Sequence, residues 1–204
     1  MATTAEQRLL TGHVADTTPY AWPWNGVLDA TRTAALLVEA PGYTVRADGN
    51  GVRNAEAVVA TLREVGGLAI RVMTTRPSSA RPLGGAASAP AAEGAARIHT
   101  DATVASQGVD GFYGGPLETV LRRARIERLL LVGGWLETSV HSTMRTANDM
   151  GFECLLVVDA CEPGDEALVA NSVSMIEMSG GIFGAVGTTA RVLEAYAREE
   201  GERA

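Results

Sequence analysis

Short runs of consecutive apolar residues alternate along this chain with longer stretches in which apolar positions recur every three or four residues. An unbroken apolar run marks a strand buried on both faces of a sheet, and the wider spacing marks a helix with one packed face. Residues 34–38 (AALLV), 68–75 (LAIRVMTT), 102–106 (ATVAS), 128–134 (RLLLVGG) and 152–160 (FECLLVVDA) read as strands. Residues 53–65, 117–126, 138–150, 164–177 and about 188–199 read as helices, with Gly66-Gly67 and Gly151 as stops after two of them. This alternation predicts an α/β fold, a mostly parallel Rossmann-like sheet with helices on both faces. Ligands of such sheets bind beyond the C-terminal strand ends, which fall near Ala40, Thr75, Ser106, Gly134 and Asp159.

Two stretches stand outside the alternation. Residues 1–32 are polar and turn-rich, and Pro19-Tyr20-Ala21-Trp22-Pro23-Trp24-Asn25-Gly26 sets aromatics between prolines. They read as an arm lying over a single domain of residues 33–204. Residues 76–96 are rich in Pro, Ala, Gly and Ser and read as a long loop inside that domain.

A length of 204 residues, 46% apolar and 20% charged, fits one soluble α/β domain. The net charge of −7, with no basic stripe, argues against nucleic acid or an anionic membrane as partner. No apolar run reaches the roughly 18 residues of a membrane span, and the first residues lack a secretory leader's basic-then-apolar pattern. A cytoplasmic location is expected, with Cys154 and Cys161 reduced. All seventeen basic side chains are Arg, which stays protonated at any working pH. No lysine is therefore present to act as base, Schiff-base former or ammonium acid. No His, Cys and Asp spacing makes a zinc site, and the glycine pairs lack a strand–GxGxxG–helix context, so neither metal nor cofactor is expected.

Four stretches then combine. They are PYAWPWNGVLDATRTAALLV at the first strand, GFYGGPLETVLRRARIERLLLVGG, the segment from Gly133 to Ala160 with Thr143, Ala147 and Gly151 in step, and MIEMSGGIFGAV. In this order, over residues 18–198, they resemble the isochorismatase-like (cysteine hydrolase) family, closest to its biuret and ureidoacrylate amidohydrolase branch. The resemblance implies the isochorismatase-like hydrolase fold, with an Asp base after the first strand, a Lys after the third and a Cys nucleophile at a helix start. Such a thiol needs the base and the helix terminus to become a thiolate, and two amides ordered by a cis peptide hold the oxyanion. Carried over position by position, Ala40 stands at the Asp, Ser106 at the Lys (fixed by Phe112) and Ser139 at the Cys (fixed by Thr143 and Gly151). Ser179 stands at the Gln of the closing motif. The resemblance thus implies a member without its Asp–Lys–Cys triad.

Each remaining candidate carries two readings. Ser139 is a serine nucleophile or a helix-start serine in a vacated place, and Ala40 offers it no base. Glu39 should point to the opposite face from Ala40, as a salt-bridged group or a displaced base. Asp110 is a ligand contact or a turn-stabilising residue. Glu137 and His141 flank Ser139 but do not share its helix face, and His141 is expected to be exposed. His99 and Asp101 read as loop residues. The resemblance places Trp135 at an oxyanion-hole position, implying a cis Gly134–Trp135 bond, with an indole that narrows the pocket or packs in the core.

The expected function is a repurposed small-molecule pocket with non-thiolate chemistry. Phe112, Trp135, Ser139 and the GGIFG segment frame it, and Ala40, Ser106, Asp110 and Ser179 line it. A non-catalytic subunit or scaffold, as homo-oligomer or joined to a related subunit, is the first alternative. A serine-dependent amidohydrolase using Ser139 is the second.

Overall fold

The structure, a computed structural model, describes residues 12–40, 49–75 and 98–203, the last five of these by backbone only. The predicted loop at 76–96 lies outside the described residues. Among the described residues, six strands form one sheet: β1 (Thr33–Glu39), β2 (Leu68–Met73), β3 (Ala102–Ala105), β4 (Arg128–Gly134), β5 (Glu153–Glu162) and β6 (Ala185–Gly187). Their order is β3-β2-β1-β4-β5-β6, and every neighbouring pair is parallel. Five α-helices of the described residues connect or flank them: α1 (Asn50–Glu64), α2 (Leu117–Arg123), α3 (His141–Asp149), α4 (Val169–Glu177) and α5 (Thr189–Arg203).

The unbroken apolar runs are explained by burial from both sides. Every residue of β1 and β4 is buried. Along β1, Ala35 and Leu37 join the cluster containing Val58 and Leu62 of α1 and Tyr196 of α5. Leu36 and Val38 turn the other way, to Leu121 of α2, Met144 of α3 and Ile176 of α4. Alternate side chains of one strand thus enter two cores.

Strand β6 is an addition to the sequence reading. Three residues within a glycine-rich stretch carry no periodicity, and tertiary pairing supplies what the local pattern lacks. β6 pairs with β5, and its Val186 exchanges two backbone hydrogen bonds with Thr18 of the arm, at 2.7 and 3.0 Å. The arm is built into the fold rather than laid over it. Trp22 is fully buried, and Val14 pairs with Trp22 across a turn closed by the Thr17 hydroxyl, which donates to the Tyr20 carbonyl and accepts from Trp22 N–H.

Strand β5 runs to Glu162, past its predicted end. Leu131 pairs with Leu156 but Gly133 with Cys161, so two steps along β4 match five along β5, and β5 bulges. Asp159, within the bulge, accepts from Thr189 N–H at the start of α5, while Asn54 of α1 donates to its carbonyl.

Asp101, expected to be a loop residue, pins the edge of the sheet. Its carboxylate accepts from Ala69 N–H at 2.8 Å and from Arg63 Nε at 2.9 Å. Burial pushes this carboxyl up, but the bonds from Arg63 and Ala69 and the Arg63 charge outweigh it and hold the group below its ordinary value. A depressed native pKa adds stability that is present above the unfolded-state value and lost as pH falls through the native one. Asp101→Asn is expected to cost about 1 kcal/mol at pH 7. The difference from the unmodified chain should vanish on acidification in urea melts; a gap that persists at pH 2 would contradict this account.

Candidate functional site

At the C-terminal ends of the central strands, main chain and hydroxyls are knitted together. Glu39 closes β1, and its carbonyl accepts both Thr74 N–H, at 2.7 Å, and the Thr74 hydroxyl, at 3.0 Å. A carbonyl can only accept, so the Thr74 proton is directed there. The Ser139 hydroxyl, 3.1 Å from Thr74 Oγ1, is then the donor of that pair. Beyond β2 and β3, Thr75 N–H donates to the Gly108 carbonyl and the Thr75 hydroxyl to the Ser106 carbonyl. The Ser106 hydroxyl, at the position where the resemblance places Lys, also donates to Gly108. The Thr143 hydroxyl donates to the Ser139 carbonyl and accepts from Gly111 N–H, which ties the glycine-rich loop to the same structure.

Ser139 lies in a π-helical turn, Leu136–Val140, which runs directly into α3. It therefore occupies the start of the helical segment, and its accessible surface is 0%. Trp135 precedes the turn with φ 62° and ψ 67°, a left-handed conformation that few bulky residues adopt. Its indole is buried, and its carbonyl accepts from Thr138 and Val140 N–H. The cis peptide bonds among the described residues are Thr18–Pro19 and Trp22–Pro23, so the expected cis Gly134–Trp135 bond is corrected to trans.

The structure brings Ala40, Ser106, Trp135 and Ser139 to this edge, all buried, with Asp110 in the glycine-rich loop tied to it, and separates Ser179 from it. Asp110 accepts from Phe112 N–H at 2.9 Å and from the Thr146 hydroxyl at 2.8 Å, a turn stabiliser with both oxygens engaged. Phe112 is a core residue, its ring stacked on Phe152 at 6.1 Å. Ser179 lies before β6, at the opposite end of the parallel sheet from Ser139. Its hydroxyl donates to the Ile176 carbonyl and accepts from Phe183 N–H, so the GGIFG segment does not frame the strand-end site.

Glu39 points away from Ser139, as its place on the strand requires, and pairs with Arg71 of β2. Arg71 also donates to the Ile98 carbonyl at 2.8 Å. Burial raises the Glu39 carboxyl, and Arg71 opposes the rise. Glu137 accepts from Gly164 and Asp165 N–H and fastens the β5–α4 connection to the turn. His141 is buried, against expectation, because α3 turns it inward; its Nδ1 faces Arg145 Nε at 3.1 Å. Burial first, and then the Arg145 charge, holds its pKa below the usual histidine value. His99 is exposed. Cys154 and Cys161 are both buried and form no disulfide, and burial pushes both thiols far above their ordinary value. Thr74 was absent from the sequence candidates. Its signal was available, as a hydroxyl ending the second strand at the ligand edge.

Residues 29–191 match the isochorismatase domain. This chain belongs to the isochorismatase family. A family member from Burkholderia thailandensis superposes with a TM-score of 0.68 at 22% identity, over 83% of this chain and 97% of that one. A cysteine hydrolase from Pseudomonas syringae pv. phaseolicola gives 0.67 at 17% identity, over 84% and 95%. Likeness at these identities shows a shared fold. In sequence, the uncharacterized isochorismatase family protein YecD of Escherichia coli O157:H7 is 34% identical over 87 residues. That alignment spans 43% of this chain and 45% of the relative's length. Among the described residues, no group of three His, Cys, Asp or Glu side chains could hold a metal ion, and no helix is long and apolar enough to cross a membrane.

Proposed function

We propose that this family member has given up thiol-based hydrolysis and uses the strand-end site to bind a small, planar, polar molecule by hydrogen bonding alone. One observation carries the reading: the Ser139 hydroxyl, where the resemblance puts the nucleophile, is fully buried, and its proton is committed to Thr74, whose own proton is committed to a main-chain carbonyl. A serine becomes a nucleophile when a neighbouring base takes its proton. This relay ends on a group that cannot take one. Ala40 supplies no carboxylate, the Glu39 carboxylate serves Arg71 on the other face, and the buried thiols of Cys154 and Cys161 stay protonated at neutral pH. What the edge offers a ligand is acceptor capacity: the Ser106, Ser139 and Thr75 hydroxyl protons are spent within the protein, and their oxygens still hold lone pairs.

The test has two arms, hydrolysis and binding. The purified chain and Ser139→Ala are incubated with biuret, ureidoacrylate and simple aliphatic amides, and the same compounds are titrated calorimetrically. Hydrolysis is expected at background rates in both proteins, with saturable heat from at least one planar amide. Turnover that drops a hundredfold or more in Ser139→Ala would overturn the proposal in favour of a serine amidohydrolase. Absence of binding across the panel would also count against it.

A further inference from the structure

At the opposite end of the sheet, where α3 gives way to β5, a cavity of about 290 Å³ opens between the arm and the Gly180–Gly181 turn. Tyr20 and Trp24 form one wall, with ring centroids 5.6 Å apart and planes crossed at 70°. Trp24 is 75% exposed, whereas Trp22 and Trp135 are buried. An exposed indole beside a cavity offers a broad, flat contact surface.

The Tyr20 hydroxyl is hydrogen-bonded to Glu153, and the other polar side chains of the lining present oxygen acceptors. Asn148 uses both amide hydrogens, on the Met144 and Phe183 carbonyls at 2.8 and 2.9 Å, so its remaining polar atom is the side-chain oxygen. Glu153 Oε1 accepts Trp24 N–H. Its Oε2 lies 3.8 Å from Arg128 Nε, beyond hydrogen-bond reach. Arg128 also stands 3.5 Å from Glu127 and donates to Asn25, so the charge of one guanidinium is shared between two carboxylates. Among the described residues no cationic side chain lines the cavity. Burial pushes the Glu153 carboxyl up, with the Trp24 N–H and the Arg128 charge opposing. A positive group placed against it would offset that lost hydration. Aromatic faces attract cations through their quadrupoles, and most strongly so when the ring is Trp. A neutral occupant would return at most a hydrogen bond for that further desolvation of Glu153, and an anionic one would return nothing.

We propose that this cavity binds a small organic cation, an ammonium or guanidinium carried on an apolar stem, with Glu153 as counter-ion and Tyr20 and Trp24 as its aromatic wall. Exposed Met178 and Ile182, on either side of Gly180–Gly181 in sequence, offer apolar surface for the stem. The site is independent of the hydroxyl relay at the far edge of the sheet.

Benzyltrimethylammonium is the probe and benzyl alcohol its neutral counterpart, each titrated into the full chain by calorimetry and followed at the Trp24 indole N–H by NMR. Saturable binding of the cation alone is expected, with the Trp24 resonance moving, and weakening as salt is added. Glu153→Gln, which keeps an acceptor for Trp24 N–H, should weaken binding about tenfold, and Trp24→Ala about threefold. Ser139→Ala should bind as the unmodified chain does. Equal binding of the alcohol, an unmoved Trp24 resonance or insensitivity to salt would overturn the proposal, and the last two are read on the unmodified protein.

Discussion

Gly133→Ala is expected to be among the most damaging single-methyl additions in this protein. Gly133 ends the apolar part of β4 with φ +121°, and a Cβ built there would lie 2.1 Å from the Val38 carbonyl oxygen and 2.7 Å from Val38 nitrogen. Both atoms belong to the central β1–β4 pair, where Val38 registers with Gly133. The obstacle is backbone in the middle of the sheet, not the end of a flexible side chain, so relief requires parting the two strands. A loss of about 4 kcal/mol or more is expected. Gly151→Ala is the control: its φ is +83°, but nothing lies within 4 Å of the added carbon. Only the conformational cost of a left-handed alanine remains, about 1 kcal/mol. Urea midpoints for the two variants measure the difference. Similar losses would mean that the β1–β4 contact gives way more easily than its geometry implies.

The second large effect is expected at Arg71→Met. The Glu39 and Arg71 side chains are 6% and 13% exposed, and their pairing spans neighbouring parallel strands. Removing one member of a buried pair strands the other charge, at a cost of about 3–5 kcal/mol. The sign of the pH dependence follows from Glu39, whose pKa is raised by burial even with Arg71 in place. A raised acid favours the protonated native state, so its contribution is fully present below the unfolded-state pKa and is lost as pH rises through the native one. Without Arg71 the rise is larger. The penalty in the variant should therefore be greatest at pH 7 and shrink as pH falls through the raised pKa and Glu39 takes up its proton. Glu39→Gln combined with Arg71→Met should recover a large part of the loss. A penalty independent of pH would show that Arg71 acts through its stem and its bond to Ile98 rather than through its charge.

The legibility of the sequence followed the range of the forces involved. Strands buried on both faces must be unbroken apolar runs, and AALLV and RLLLVGG could be little else. The β6 strand could not be read this way. Its three residues acquire their strand character only from pairing with Leu155, Leu156 and Val157 of β5 and from Thr18 of the arm, far away in the chain.

The site divides along the same line. Positions counted from Phe112, Thr143 and Gly151 bring Ser106 and Ser139 to one edge, because spacing along a strand or helix fixes where a residue emerges. Ser179 failed that test. It follows a helix and precedes an edge strand, and the direction of that strand, invisible in the sequence, sends it to the other end of the sheet. Asp110 takes the turn-stabilising of its two readings: one carboxylate oxygen accepts the local Phe112 N–H and the other the Thr146 hydroxyl.

The relay from Ser139 through Thr74 to Glu39 also has a direction. Its last acceptor has no proton to return, so in the reverse arrangement the Glu39 carbonyl keeps Thr74 N–H but the Ser139 proton loses Thr74 as its acceptor. Buried rotors locked in this way trade hydrogen with solvent only when the strand ends part. The lifetimes of these two hydroxyl protons, followed by NMR in light water, would therefore report how often this edge of the sheet opens.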